Sequence, residues 1–66
     1  MENNLAMVRS ELNLSLRQLG RKSGVCWTHI AKIESGERTP TVPVAYEICH
    51  ALGKSIYEVF PDPHQK

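Results

Sequence analysis

Two glycines four residues apart, Gly20 and Gly24, constrain the fold of this chain more than any other feature of its sequence. They lie where one apolar run with helical spacing, 16–19, gives way to a second, 30–33. Helices that cross steeply can approach closely only where one of them lacks a side chain, and we assign this role to Gly20. The turn that follows needs a residue free to adopt a positive φ angle, which is the role of Gly24.

The residues around the two glycines predict a helix, a tight turn and a second helix. Ser15 followed by Gln18 is a capping box, which satisfies two backbone donors at the start of the first of these helices. Val25, Ile30 and Ile33 would fill the wedge beneath the second. Each feature alone is weak evidence, but their order along the chain indicates a helix-turn-helix motif.

Capping residues mark the ends of three further helices. Asn and Thr side chains accept hydrogen bonds at a helix start, Asn and Gly tolerate the left-handed conformation at its end, and Pro is tolerated in a first turn. The residues in these positions are Asn3 or Asn4 and Asn13 for the first helix, Thr41, Pro43 and Gly53 for the fourth, and Ser55 with Glu58 for the fifth. No alternating polar and apolar run supports a strand, so we predict an all-α fold, a compact bundle of five short helices.

The 66 residues predict one domain, 1–60, followed by a flexible C-terminal tail, 61–66. The chain has neither the apolar run of about 20 residues that a membrane span needs nor a signal peptide. Its two cysteines are too few for a disulfide framework, so we expect a cytoplasmic protein with free thiols. A domain this small leaves no room for a substrate pocket, and no catalytic arrangement of side chains is evident, so we expect no enzyme activity, cofactor or small-molecule ligand.

Charge is unevenly distributed along the chain. Residues 15–41 carry five Lys or Arg against two Glu, a net charge of +3, whereas the remainder carries three basic against five acidic residues, a net charge of −2. A basic middle between acidic ends indicates a surface that faces a polyanion, although a solvated basic face needs no partner.

The chain resembles the Cro/C1-type helix-turn-helix domains, the phage-repressor-like (XRE) family of bacterial and phage regulators. The resemblance runs from Leu5 to Phe60 and is carried by LSLRQLGRKSG, HIAKIESGERTP and ICHALGKSIYEVF. It implies a lambda-repressor-like bundle in which the second helix, 16–23, crosses the DNA backbone and the third, 26–35, enters the major groove of double-stranded DNA. Residues on the outer face of that third helix would reach the base edges.

The resemblance assigns two sets of DNA contacts. The expected base contacts are Trp27, Thr28, Lys32 and, at the flank of the helix, His29. The expected phosphate contacts are Arg17, Arg21, Ser35, Arg38 and Thr41, together with the N-terminus of the second helix. For His29, a phosphate contact and simple exposure remain equally open. The family also pairs the position of Glu34 with an arginine on the first helix, here Arg9, as a structural ion pair.

Three positions depart from the family pattern. Leu16 replaces a polar residue that holds a phosphate, Cys26 replaces the Ser or Thr cap of the third helix, and Trp27 replaces a Gln- or Arg-like base reader. Trp27 lacks the bidentate hydrogen bonding that reads purines, so it would touch a thymine methyl group or a sugar and phosphate. The alternatives are that it packs back onto the second helix or meets a protein partner.

The cysteines and histidines offer two further interpretations. Cys26 and His29 with Cys49 and His50 include zinc ligand types, but Cys49 and His50 are helix neighbours pointing about 100° apart, so we expect no metal site. Cys49 is predicted to lie in the core. Cys26 at a helix N-terminus near basic residues could be a redox-sensitive thiol, or simply a small residue tolerated at a cap.

The fifth helix has more large apolar residues than so small a core requires. We therefore predict that some of these residues are core and some exposed, and that Tyr57, Val59 and Phe60 contribute to a homodimer interface, with an internal fifth helix in a monomer as the alternative. The function predicted is a sequence-specific transcriptional regulator, a repressor or controller protein that binds an inverted-repeat operator as a dimer. The alternative is a protein-interaction module on the same scaffold, such as an antitoxin or an antirepressor-like partner.

Overall fold

Five α-helices follow one another along the chain in a computed structural model that describes residues 3–61. They are α1 (Leu5–Glu11), α2 (Leu16–Ser23), α3 (Trp27–Glu34), α4 (Val42–Leu52) and α5 (Ile56–Val59). No strand occurs among the described residues, which confirms the predicted all-α bundle. Within the same residues, no helix combines the length and the apolar character needed to cross a bilayer. Apart from Pro61, the predicted tail 61–66 lies outside the described residues.

The capping hydrogen bonds expected at the predicted helix starts are present. The Ser15 hydroxyl accepts from the backbone N–H of Gln18 at 3.0 Å, and the Gln18 side chain accepts from the backbone N–H of Ser15 at 2.7 Å. Ser55 and Glu58 form the same reciprocal pair at the start of α5. Thr41 caps α4 by accepting from the backbone N–H of Val44 at 3.4 Å. These bonds satisfy donors that a helix start leaves unpaired.

The N-terminal asparagines act differently from the predicted cap of α1. Asn4 occupies the N-cap position, but its side chain makes no capping hydrogen bond there. The Asn3 side chain instead accepts from the backbone N–H of Leu5 at 3.0 Å and donates to the Ile33 carbonyl at 2.8 Å. Asn4 in turn donates its backbone N–H to the Val59 carbonyl at 2.8 Å. The two asparagines therefore link the start of α1 to distant parts of the chain.

The core lies where all five helices meet. Its fully buried side chains are Leu5, Leu19, Ile30, Ile33, Ile48 and Val59. The helix α2 packs against both α3 and α4, and α5 packs against α4. The predicted core position of Cys49 is confirmed, since that residue is buried. The predicted left-handed residue at the end of the first helix is also confirmed, because Asn13 has a φ of 57°.

The prediction that Val59 and Phe60 contribute to a dimer interface is corrected by their burial. Val59 has no exposed surface and Phe60 is 7% exposed, because both side chains fill the core of their own chain. The hydrogen bonds from Asn4 to the carbonyls of Val59 and Glu58 hold the end of α5 against the start of α1. Of the three residues assigned to the interface, Tyr57 is on the surface, 65% exposed.

Candidate nucleic-acid interface

The two glycines set the angle and the closeness of α2 and α3. A Cβ atom on Gly20 would lie 3.0 Å from the Val25 carbonyl oxygen and 3.4 Å from the Cβ atom of Trp27, closer than most real contacts. Gly24 has a φ of 78°, in the left-handed region, and donates its backbone N–H to the Gly20 carbonyl at 2.9 Å. The close approach and the turn predicted from these glycines are both present, and they place α3 across α2.

Helix α3 has a buried face and an exposed face. Ile30 and Ile33 point into the core with no exposed surface. The residues exposed on the opposite face and at the end of the helix are Trp27, Thr28, Lys32 and Ser35, with His29 and Ala31 half-buried at its margins. All the predicted base-contact positions therefore lie on one short helix, and the exposed ones share a single face of the size that enters a major groove.

The residues predicted to bind phosphates lie on α2, at the end of α3 and in the loop that follows it. Arg17 and Arg21 are exposed on α2, one helical turn apart, and Arg38 is exposed in the loop after α3. The Thr41 oxygen accepts the capping hydrogen bond of α4, so its O–H remains free to donate to a phosphate. The Ser35 hydroxyl donates to the Lys32 carbonyl at 3.0 Å and is the one member of the set whose proton is already engaged.

The indole of Trp27 packs back towards α2. The guanidinium carbon of Arg17 lies 4.9 Å from the centre of its ring, within the range of a cation–π interaction. The two side chains border an open groove between α2 and α3 that is also lined by Gly20 and Gly24. Trp27 remains 38% exposed. This arrangement corresponds to the packing alternative for Trp27, and no sequence pattern indicated that Arg17 would be its partner.

Cys26 begins α3 without capping it through its side chain. Its sulfur lies 3.0 Å from the Thr28 hydroxyl oxygen. Hydrogen bonding to the Thr28 hydroxyl, and then to the backbone N–H groups of Thr28 and His29, lowers the pKa of the Cys26 thiol. Burial raises the pKa of Cys49, so the two cysteines differ in how readily they ionise. Among residues 3–61, no group of three or more His, Cys, Asp or Glu side chains could hold a metal ion.

Arg9 and Glu34 form the contact assigned to them from the family resemblance. Arg9 Nε donates to Glu34 Oε2 at 2.6 Å and Arg9 Nη2 donates to Glu34 Oε1 at 3.2 Å. The hydrogen bond to Glu34 is the main cause that raises the pKa of Arg9. Arg9 Nη1 also donates to the Leu14 carbonyl at 2.8 Å, a contact that the resemblance did not indicate. One guanidinium thus joins α1, the loop before α2 and the end of α3.

Comparison with known proteins identifies the family. A family model described as helix-turn-helix matches residues 5–59, nearly the whole of the described bundle. The chain belongs to the Cro/C1-type helix-turn-helix family. Family members are DNA-binding transcriptional regulators and are not typically enzymes.

Three similar proteins within this helix-turn-helix family are themselves named as regulators. The chain is 36% identical over 56 residues to the uncharacterized HTH-type transcriptional regulator y4dJ of Sinorhizobium fredii, covering 85% of this chain and 73% of that protein. It is 32% identical over 60 residues to YgzD of Bacillus subtilis, covering 91% of each chain. It is 33% identical over 60 residues to MJ0272 of Methanocaldococcus jannaschii, again covering 91% of each. YgzD and MJ0272 are likewise named as uncharacterized HTH-type transcriptional regulators.

Proposed function

We propose that this helix-turn-helix protein is a repressor or controller protein that binds an inverted-repeat operator as a homodimer, with α3 of each subunit in the major groove. The observation that carries the proposal is the exposed face of α3, where Thr28 and Lys32 stand outward between basic side chains of the neighbouring elements. A Lys side chain can donate to guanine O6 and N7, and a Thr side chain can reach either a polar base edge or a thymine methyl group.

The basic flanks support a defined placement on the duplex. Exposed Arg17 and Arg21, on the helix before α3, and exposed Arg38, in the loop after it, would bind phosphates along the groove that α3 enters. Such contacts fix orientation and register without reading sequence. The net charge of +3 in residues 15–41, against −2 elsewhere, would attract the helix-turn-helix part of the molecule to DNA.

Dimerisation is proposed through the exposed part of α5 around Tyr57. A large aromatic side chain that is 65% exposed is a suitable centre for a self-complementary contact. A two-fold dimer would place its recognition helices about 34 Å apart, one turn of B-DNA, and would therefore select an inverted repeat. Regulation would follow protein concentration, through dimerisation and operator occupancy.

The proposal is tested by selection from a random pool of duplex DNA, followed by affinity measurements on the selected sequences at several salt concentrations. We expect enrichment of an inverted repeat, with log affinity falling linearly and steeply against log salt as counterions are released. A pool that stays random, with only weak salt-sensitive association, would refute sequence-specific binding and would direct attention to the alternative of a protein partner.

A matched pair of lysine variants tests whether α3 reads bases. Lys32→Ala should weaken binding to the selected operator by about 1–3 kcal/mol and relax the preference at the base pair it contacts. Lys54→Ala removes an equally charged, exposed lysine from the loop between α4 and α5 and should change neither affinity nor preference by more than a small amount. Equal effects of the two substitutions would mean that Lys32 contributes charge alone.

A further inference from the structure

The stacked pair of Arg17 and Trp27 lies at the edge of the face that α3 presents. Arg17 is the second residue of α2 and Trp27 the first of α3, so the stack bridges the two helices of the motif. The distance of 4.9 Å from the guanidinium carbon to the ring centre means that one face of the indole is covered by a cation. Trp27 has no side-chain oxygen or second nitrogen, so its polar capacity is a single N–H donor.

The charge of Arg17 is available to an outside partner. The only ion pair among residues 3–61 joins Arg9 to Glu34, so no carboxylate in this part of the chain neutralises Arg17. Arg17 is exposed and borders the groove between α2 and α3, with Arg21 further along the same groove. Two arginines on one open groove next to the recognition helix form a suitable surface for the DNA backbone.

We propose that Trp27 is a positioning residue: its ring holds the Arg17 guanidinium at the groove between α2 and α3, where that guanidinium binds a DNA phosphate. Base reading is then left to Thr28 and Lys32. This inference rests on the proposed DNA-binding function and assigns different tasks to residues of the same surface. It accounts for a tryptophan at a position where a polar base reader is expected, because a flat aromatic face is what orients a guanidinium.

The physical advantage of the stack is preorganisation. An arginine has many rotamers in solution and loses most of this freedom when it binds a phosphate. A side chain already held against an aromatic ring has less freedom left to lose, so the same contact gives a higher affinity. Removing the ring should therefore weaken DNA binding only while the arginine is present.

A double-mutant cycle on the selected operator tests this dependence. Trp27→Ala should weaken binding about 2- to 5-fold in the wild-type background, the size of an exposed cation–π contact, and have little effect when Arg17→Gln is already present. Arg17→Gln should lower the slope of log affinity against log salt by about 0.9, as expected for one phosphate contact. Trp27→Phe retains an aromatic face and should preserve part of the coupling. The matched control is Arg21→Gln, which removes the other arginine of the groove and should act independently of Trp27→Ala.

Two further readouts separate positioning from folding and from base reading. Thermal unfolding by circular dichroism checks that each variant is folded. If Trp27→Ala is unfolded, Trp27→Phe replaces it in the cycle. Because Trp27 is the only tryptophan, its fluorescence reports on the stack, and Arg17→Gln should shift the emission of the free protein. Operators with single base changes should be ranked alike by the wild-type and Trp27→Phe proteins.

The outcomes are distinct. Coupling between Arg17 and Trp27, with base preferences unchanged, supports the positioning role. Independent effects of the two substitutions, or a changed preference at one operator position in a Trp27 variant, would overturn it while leaving the DNA-binding function intact. A wild-type protein that shows no sequence-selective binding would overturn the proposed function, and this inference with it.

Discussion

Removal of the Glu34 carboxylate should destabilise the fold more than removal of any exposed acidic side chain. Glu34→Ala would leave the guanidinium of Arg9, whose side chain is 20% exposed, without two of its hydrogen bonds, and only its bond to the Leu14 carbonyl would remain. Breaking a fully buried pair costs about 3–5 kcal/mol. Because the Arg9 side chain is partly exposed, we expect a smaller loss in the free energy of unfolding, about 2–3 kcal/mol.

The expected loss is large for a domain of this size. A change of 1 kcal/mol shifts the midpoint of thermal unfolding by about 4–8 °C in a chain of 60–100 residues, so Glu34→Ala should lower it by roughly 10–20 °C. Thermal and urea unfolding followed by circular dichroism would measure both quantities. The control is Glu37→Ala, which removes an exposed carboxylate three residues further along and should change the unfolding free energy by less than about 0.5 kcal/mol.

A third variant distinguishes an unpaired charge from lost packing. Arg9→Met combined with Glu34→Leu removes both charges and should recover much of the stability lost in Glu34→Ala, since an apolar pair of similar volume is often as stable as a buried ion pair. If Glu34→Ala is no less stable than Glu37→Ala, the ion pair does not hold α1 against α3. If the double variant is as unstable as Glu34→Ala, the loss comes from packing and not from the isolated guanidinium.

Three further predictions concern the capping box of α5, the turn before α3 and the dimer. The hydrogen bond from the backbone N–H of Ser55 lowers the pKa of Glu58 below its usual 4.5. The ionised carboxylate should therefore contribute its full stabilisation above pH 4.5 and lose it as the pH falls through the pKa of the folded state. Urea unfolding of Glu58→Gln should lack this acid-dependent part. Gly24→Ala should lower the free energy of unfolding by about 1–2 kcal/mol because the φ of Gly24 is 78°, and Gly24→Asn should lower it less. Equal stability of the wild-type protein and these two variants would contradict the left-handed turn. In sedimentation equilibrium, Tyr57→Ser should weaken self-association, whereas Tyr46→Ser, which removes a similarly exposed tyrosine from α4, should not.

Most of the fold could be predicted from the sequence because its signals are local. A capping box needs only residues three apart, and the helix starts at Ser15 and Ser55 are present as predicted. The turn at Gly24 and the close approach at Gly20 likewise follow from residue types within one short stretch of the chain. Such features depend on backbone geometry that the rest of the chain does not change.

The errors and omissions fall where the partner of a side chain lies far along the chain. Val59 and Phe60 were assigned to a surface because apolar content alone does not show which residues the chain buries. Their burial depends on the start of α1, where Asn4 binds the Val59 carbonyl 55 residues away. The stack of Arg17 on Trp27 is likewise a contact between helices. Its sequence signal, a basic residue and an aromatic residue ten positions apart, occurs too often by chance to predict a contact.

The contacts of α3 separate the residues that hold the helix from those available to a partner. At its start, Trp27 packs against Gly20 of α2, and at its end the Ile33 carbonyl accepts from Asn3 while Glu34 is held by Arg9. A side chain reads a base only if its backbone is held to within a fraction of an ångström, because hydrogen bonds weaken steeply with misplacement. Both ends of α3 are thus fixed by contacts to α2 and to the N-terminal part of the chain, whereas on its outward face the Thr28 hydroxyl meets the Cys26 sulfur at the start of the same helix. Substitution on that face should therefore change sequence preference at little cost in stability.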